Sequence, residues 1–241
     1  MRTTLLIARR ELSAYFRTMS GYVIAGLMLL IVGLLFNVFC IGGPDKLSAE
    51  VLSQFFFWTG GFSVVAGLFL SMRLLAEERQ TGTLVLLTSS PVHDWEIVLG
   101  KFLSAMVFLT LIVASTIYMP LLVLVNGKVS FGQLAAGYLG VLLFGSTGVA
   151  IGTFGSAIAR NQVLAVIFSS CIALAMTVAW MLGKVTEHPL NDVFVALALY
   201  GRHFPPFQAG SIHVRDVIYY VAVSYVALFA SIRVMEARRW R

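Results

Sequence analysis

Six long apolar segments dominate the chain, and none of them contains a charged residue or a histidine. Each is about long enough to cross ~30 Å of hydrocarbon as a helix, which takes ~20 residues. None alternates polar and apolar residues as the strands of a membrane barrel do. The pattern therefore predicts an all-α, polytopic membrane protein with six transmembrane helices, over residues 21–41, 55–72, 102–125, 134–158, 163–182 and 217–232.

The composition agrees with this pattern, because 59% of the residues are hydrophobic and only 12% are charged. Soluble domains are closer to half apolar and a quarter charged. So few polar residues cannot cover a water-soluble fold of 241 residues, which excludes a soluble enzyme. We expect the lipid bilayer, and no nucleic acid, to be the partner of this basic chain, whose net charge is +6.

The distribution of lysine and arginine predicts the orientation of the chain. With the N-terminus in the cytoplasm, twelve of the 17 basic residues lie on the cytoplasmic side and five lie outside. Cytoplasmic loops are enriched in Lys and Arg. The chain is therefore expected to have both termini in the cytoplasm, as an even number of crossings requires.

Residues 1–20 show a helical pattern before the first span. Leu5, Ala8 and Leu12 recur at helical spacing, while Arg9 and Arg10 fall elsewhere on the helical wheel. A basic amphipathic helix of this kind lies in the membrane interface. The alternative is a positively charged flank of the first span with no separate role.

The fourth span carries a stripe of glycines, and small residues on one helix face allow helices to approach closely in lipid. The preferred interpretation is packing inside the bundle, although a glycine hinge would have the same pattern. The stripe has spacings of three, four and three residues and consists of Gly145, Gly148, Gly152 and Gly155.

Two connections are longer than the topology needs, a cytoplasmic one over 73–101 and an external one over 183–214. The external connection contains an apolar stretch, 193–200, that is too short to span and is predicted to be a re-entrant or interfacial helix. Repeats and flexible linkers are absent from the sequence, so residues 1–241 are expected to form a single domain.

Motifs for chemistry are missing from the sequence. None of the Gly-Lys pairs is followed by Ser or Thr with a glycine five residues earlier, so there is no phosphate-binding loop. There is no His-Glu-x-x-His motif, and the spacing of the histidines matches no metal site. We expect a non-catalytic chain without a metal or cofactor of its own, and any ATP must bind to another chain.

The cytoplasmic connection has an unusual pattern. Residues 75–79 continue the second span, Gly82 breaks or bends that helix, and Thr83 is positioned to cap a short apolar helix that Pro91 ends. An apolar helix outside the membrane needs a groove on a protein. That groove belongs either to a partner or to the inner surface of the bundle itself.

This connection also resembles a known family. Met72-Arg73 is followed by Glu77-Glu78-Arg79-Gln80-Thr81-Gly82-Thr83-Leu84 and then by Leu86-Leu87-Thr88-Ser89-Ser90-Pro91-Val92. This order is similar to the signature of ABC-2 type permeases, in which the segment contains the coupling helix that meets the ATPase subunit. One departure is Val85, where relatives often carry Glu.

A second region of similarity lies near the C-terminus. It resembles the branch that includes gliding-motility permeases and nitrous-oxide-reductase maturation permeases. The matching positions in the external loop and at the start of the last span are His203, Phe204, Phe207, Gly210 and Asp216.

The resemblance implies the permease subunit of an ATP-driven exporter in the bacterial inner membrane. It also implies a separate ATPase chain that binds ATP and Mg²⁺, and a second permease chain that is either identical or related. The alternative is a membrane anchor that transmits force to a partner complex without a transported substrate. The residues expected to couple this chain to the ATPase are Glu77, Glu78, Arg79, Gly82, Thr83, Leu84, Leu87 and Pro91.

Overall fold

The computed structural model describes residues 2–41, 47–83, 92–126, 130–187 and 190–239. Within these ranges the regular elements are all helical and no strand occurs, which confirms the predicted fold class. In chain order the helices are α1 (Arg2–Arg17), α2 (Met19–Leu35) with a π-helical continuation (Phe36–Ile41), α3 (Ser48–Ser71), α4 (Arg73–Gln80), α5 (Asp94–Ser115), α6 (Tyr118–Asn126), α7 (Phe131–Ile158), α8 (Gln162–Val185), α9 (Leu190–Leu197), α10 (Pro205–Gln208) and α11 (Val214–Arg239).

Among the described residues, six helical stretches are long and apolar enough to cross a membrane, which confirms the predicted number. They extend beyond the apolar segments because polar residues at a span's end can remain helical in the interface, where long side chains reach water. The second stretch, for example, joins α3 and α4 across Met72. The stretches are Met19–Cys40, Ser48–Gln80, Asp94–Val125, Phe131–Ile158, Gln162–Val185 and Val214–Ala237.

Three spans form the centre of the bundle and three lie around it. In the most apolar 18-residue part of the spans built on α3, α5 and α7, 61%, 56% and 61% of the residues are buried. The corresponding share is 22% for the spans of α2, α8 and α11. The largest contact in the bundle is between α3 and α7. The three outer helices therefore present apolar surface that suits lipid or a second chain.

The predicted N-terminal helix forms and packs along α5. Tyr15 is buried, stacks on Phe108 at 5.0 Å between ring centroids and donates a hydrogen bond of 2.8 Å to the carbonyl oxygen of Leu70. Leu5 and Leu6 are 71% and 66% exposed on α1. The location of α1 in the membrane interface remains a prediction, and two exposed leucines on this helix are consistent with it.

The glycine stripe of α7 lies against three neighbours, α3, α5 and α8. A Cβ added to Gly148 would lie 2.6 Å from the carbonyl oxygen of Val64, and one added to Gly152 would meet the hydroxyl of Ser71. A Cβ on Gly145 would lie 2.8 Å from Cδ2 of Leu109 on α5 and 3.2 Å from the Ser63 hydroxyl on α3. Three glycines thus allow the close approach of α3 to α7.

The fourth glycine of the stripe serves a different contact. A Cβ on Gly155 would lie 2.9 Å from the carbonyl oxygen of Ala165, which belongs to α8. The stripe therefore continues from the α3 contact onto the α7–α8 contact.

Replacing Gly148 with Leu is expected to prevent correct assembly of the bundle. The new side chain would collide with the backbone of α3, which cannot move aside as a flexible side chain can, and overpacking typically costs ~1–3 kcal/mol. Membrane levels and the monodispersity of the purified protein measure the effect. Gly61→Leu is the matched control, because nothing lies within 4 Å of a Cβ at Gly61. Equal levels of both variants would show that the stripe tolerates bulk.

The two ends of the bundle differ. One end, which we call the α1 end, consists of α1, α4 and the junction of α7 with α8. The opposite end, which we call the loop end, carries α9 and α10. The short helix predicted over 193–200 forms as α9, three residues earlier. Two residues after α9 ends, the N–H of Leu199 donates to the carbonyl oxygen of Met176 on α8 at 3.0 Å.

Candidate functional site

The coupling segment predicted from the sequence begins with α4 at the α1 end. This helix ends at Gln80, and Gly82 follows with φ of +75°, a conformation that glycine adopts without strain. The N–H of Gly82 donates to the carbonyl oxygen of Arg79 at 3.2 Å, and Thr83 donates from its hydroxyl to the carbonyl oxygen of Glu78 at 3.3 Å. The turn over 81–83 is exposed. Leu84, Leu87 and Pro91 lie outside the described residues.

A buried lysine joins three helices beside this segment. Lys101 on α5 is only 1% exposed, and its Nζ lies 3.0 Å from Oε1 of Glu11 on α1 and 2.8 Å from Oε1 of Glu78 on α4. Arg10 adds a second cation at 2.8 Å from Glu11 and 3.4 Å from Glu78. Two cations and two carboxylates thus form a charge network that connects α1, α4 and α5.

The carboxyl of Glu11, on α1, is ionised at neutral pH. Burial acts to raise the pKa of Glu11, but the ammonium of Lys101 and the guanidinium of Arg10 outweigh it and hold that pKa below its ordinary value of 4.5. A lowered carboxyl pKa stabilises the folded chain above the unfolded value, and this contribution disappears as the pH falls through the folded value. The Glu11 link is therefore lost only in acid below pH 4.5.

Arg79 binds the end of the fourth span. Its guanidinium donates to the carbonyl oxygens of Ala157 at 2.8 Å and Ile158 at 3.2 Å, and it also contacts the carbonyl oxygen of Ala159. The last carbonyls of a helix have no partner within the helix and carry partial negative charge. Arg79 therefore caps the C-terminus of α7.

Ser156 fixes the beginning of α4 to the same turn of α7. Its Oγ accepts hydrogen bonds from the N–H groups of Leu75 at 3.0 Å and Ala76 at 2.9 Å, and it donates to the carbonyl oxygen of Met72 at 2.9 Å. Helix α4 is thereby bound to α7 at both its start and its end.

Arg73 makes a third attachment, to the junction of α1 with α2. It donates to the hydroxyls of Thr18 at 2.9 Å and Ser20 at 2.5 Å, and its Nε lies 2.9 Å from Oε2 of Glu77. The Glu77 side chain remains 40% exposed. The side chain of Glu78 is only 14% exposed, and Arg79 is bound to the end of α7.

The second set of sequence-predicted residues meets at the loop end. Nδ1 of His203 lies 2.7 Å from Oδ1 of Asp216, and both side chains are buried. The imidazole also stacks on the ring of Tyr219 with centroids 3.9 Å apart. The sequence placed His203 in a loop and Asp216 outside the last span, but the structure buries the pair, and the contact holds the segment between α9 and α11 to α11 itself.

Phe204, Phe207 and Gly210 complete this set. Phe204 packs against Gly60 of α3, and the Cβ of Phe207 lies 2.5 Å from the position of a Cβ on Gly140 of α7. Gly210 has φ of +88°, which allows the chain to turn toward α11. The five residues therefore have a common structural role, which is to dock the segment between α9 and α11 on α3, α7 and α11.

Metal-binding groups do not converge in the part of the chain that the structure describes, where no three His, Cys, Asp or Glu side chains are placed to hold an ion. His203 has a carboxylate partner but no further ligand of this kind within the described ranges. The conspicuous ionic assembly is the Lys101 network, whose groups pair with one another.

Sequence reasoning missed Lys101, Glu11 and Ser156. Lys101 counted only as a positive charge on the cytoplasmic side, although it is the most buried cation described. One signal was available, because Glu11 is the only acidic residue before Asp45 and lies in a basic helix. A single acid in such a helix indicates a specific cationic partner.

A family model described as an ABC-2 family transporter protein matches residues 43–235, which include α3, the coupling segment, the glycine stripe and the external segment. A search of curated proteins found no match.

Proposed function

Because the chain belongs to the ABC-2 transporter family, we propose that it is the permease subunit of an ATP-driven exporter whose ATPase is a separate chain. The observation that supports this most directly is the attachment of α4. Its exposed turn over 81–83 leads into the segment that would meet the ATPase, while its other contacts bind it to α1, α5 and α7. A displacement at the turn would therefore move several helices together.

Transmission follows two routes through this chain. Lys101 connects α4 to α1 and α5 by charge, and Ser156 with Arg79 connects α4 to the end of α7 by hydrogen bonds. Charge-assisted hydrogen bonds with several donors fix direction as well as distance. We assign Glu78 and Arg79 to this transmission and leave docking to the apolar residues Leu84 and Leu87, with Glu77 at the rim.

ATP and Mg²⁺ belong to the partner in this proposal, and hydrolysis there supplies the energy. This chain contributes the docking surface and the helices that carry the movement. A second permease chain, identical or related, would cover part of the outer surface of α2, α8 and α11. Only 22% of the residues in the most apolar part of each of these spans are buried. The transport path would then form between the two chains.

We also propose that the α1 end lies in the cytoplasm of a bacterium, with the chain in the inner membrane. The twelve-to-five distribution of basic residues supports this orientation, and so does the need for the coupling segment to reach a cytoplasmic ATPase. Residues 1–241 would act as one domain, with α1 as an interfacial helix and 183–214 outside.

Within the family, we propose the branch that includes gliding-motility and nitrous-oxide-reductase maturation permeases. The residues that resemble this branch are those that dock the external segment, beginning with the pair His203 and Asp216. The resemblance at these positions is the reason for this grouping.

Replacing Leu84 or Leu87 with Asp is expected to release the ATPase. Loss of a buried leucine costs ~2–5 kcal/mol in a packed environment, and ~2.8 kcal/mol already weakens binding about a hundredfold. The measurement is copurification of an ATPase subunit, with membrane insertion of each variant recorded alongside.

Leu47→Asp is the matched control for this experiment. Leu47 is 73% exposed at the loop end, so the same substitution there should leave the ATPase bound. Retention of the ATPase at wild-type stoichiometry by both test variants would contradict docking through this segment. Absence of any ATPase from the wild-type preparation would contradict the proposed function itself.

A further inference from the structure

A polar cavity opens at the loop end, between the start of α3 and the external segment. Its volume is about 420 Å³, within the range of sites that hold small molecules or head groups. A second cavity, between α2 and α3, is lined almost wholly by apolar side chains and suits only hydrocarbon. The polar cavity is lined by Glu50, Ser53, Gln54, Phe57, Tyr200 and Gln208.

Gln208 leaves a buried donor without a partner in this wall. The residue is only 6% exposed, its backbone carbonyl oxygen accepts a hydrogen bond of 3.0 Å from Nε2 of Gln133, and it lines the cavity beside Tyr200. Nε2 of Gln208 has no acceptor among the described residues. Buried amide groups are nearly always paired, so a bound group that offers an acceptor oxygen is expected here.

Charge and aromatic rings select the other part of the ligand. Glu50 is the only charged side chain among the described lining residues, so the cavity favours a cation. Phe57 and Tyr200 form the adjoining wall, with ring centroids 5.4 Å apart and an edge-to-face arrangement. A carboxylate beside aromatic rings is a favourable environment for an ammonium group.

We propose that this cavity binds an alkylammonium phosphate, with the ammonium at Glu50 and the aromatic rings and a phosphate oxygen at Nε2 of Gln208. The cavity lies at the end of a membrane-spanning helix, where the head groups of the bilayer are found. An aminated phospholipid and a free phosphoalkylamine share this chemistry. The proposal depends on the proposed topology only for the identity of the leaflet, and it does not depend on the ATPase.

The test uses the full-length purified chain in detergent, with any subunit that copurifies. Binding is measured by calorimetry for short-chain phosphatidylethanolamine, short-chain phosphatidylglycerol, phosphoethanolamine and ethanolamine. Phosphatidylethanolamine is expected to bind at least about tenfold more tightly than phosphatidylglycerol, because only the former carries the ammonium that Glu50 pairs. Binding of the lipid alone identifies a lipid site, and equal binding of phosphoethanolamine identifies a head-group site open to soluble ligands. Both results support the proposal.

Two variants assign the two contacts. Glu50→Gln should weaken phosphatidylethanolamine binding about tenfold, whereas Glu187→Gln, an exposed acid outside the cavity, should leave it unchanged. Gln208→Met should remove the advantage of phosphoethanolamine over ethanolamine that the wild type shows. Equal affinity for the two phospholipids, or unchanged affinity in Glu50→Gln, would overturn the proposal. Because Glu50 is exposed, its variant is expected to fold and the test remains decisive.

Discussion

Replacing Lys101 with Met is expected to destabilise the bundle and to disconnect it from the ATPase. The side chain is 1% exposed and lies between the carboxylates of Glu11 and Glu78. Its removal leaves these two negative charges close together, with only the more exposed Arg10 to compensate. Breaking a buried ion pair by removing one partner typically costs ~3–5 kcal/mol. The loss is measured as a lower unfolding temperature in detergent and as ATP hydrolysis that no longer drives output.

A triple variant separates stability from coupling. Adding Glu11→Gln and Glu78→Gln to Lys101→Met removes three of the four charges and leaves only Arg10, whose side chain is 62% exposed. Replacing a buried ionic group together, instead of one partner alone, is often close to neutral for stability. We expect the triple variant to regain its unfolding temperature but not its coupling, because the charged link between α1, α4 and α5 remains absent.

Lys184→Met is the control for both Lys101 variants. The Nζ of Lys184, on α8, lies 4.5 Å from the ring centroid of Trp180. Because the lysine is exposed, its loss should change stability and coupling little. Wild-type stability and coupling in Lys101→Met would show that the charge network contributes to neither property. A triple variant as unstable as the single one would show that uncompensated charge is not the cause.

The spans could be predicted because each is a local property of the sequence. Twenty apolar residues form a helix in lipid whatever the rest of the chain does, since every backbone group must be bonded within the segment. The end of the helix before Gly82 was predictable for the same reason, and its φ of +75° agrees with the expected break. Local chemistry decides such features.

The charge network could not be predicted in this way because its members are far apart in sequence. Residues 11, 78 and 101 meet only after α1 has packed along α5, a contact in which a Cβ on Gly100 would lie 2.8 Å from the carbonyl oxygen of Thr4. Nothing in the neighbourhood of Lys101 distinguishes it from a lysine that flanks a span. The pair of His203 with Asp216 is similar, since the sequence indicated both residues but not their contact.

Arg79 gives the sharpest distinction between docking and transmission. The sequence suggested that it contacts the ATPase, whereas the structure uses it to cap the carbonyls at the end of α7. Arg79→Met is therefore expected to leave the ATPase bound at wild-type stoichiometry while hydrolysis loses its effect on output. The lost contacts include charge-assisted hydrogen bonds, worth ~1.5–3 kcal/mol each, so α4 would be released from α7 at this end.

Arg79→Lys is the matched variant, because it keeps the positive charge but lacks the planar fork that reaches several carbonyls at once. We expect it to be partly uncoupled and fully assembled. The measurement is the ratio of output to ATP hydrolysis in reconstituted vesicles, beside copurification of the ATPase. If Arg79→Met instead loses the ATPase as completely as Leu84→Asp, then Arg79 contacts the partner, and the cap on α7 is not the route by which the movement enters the bundle.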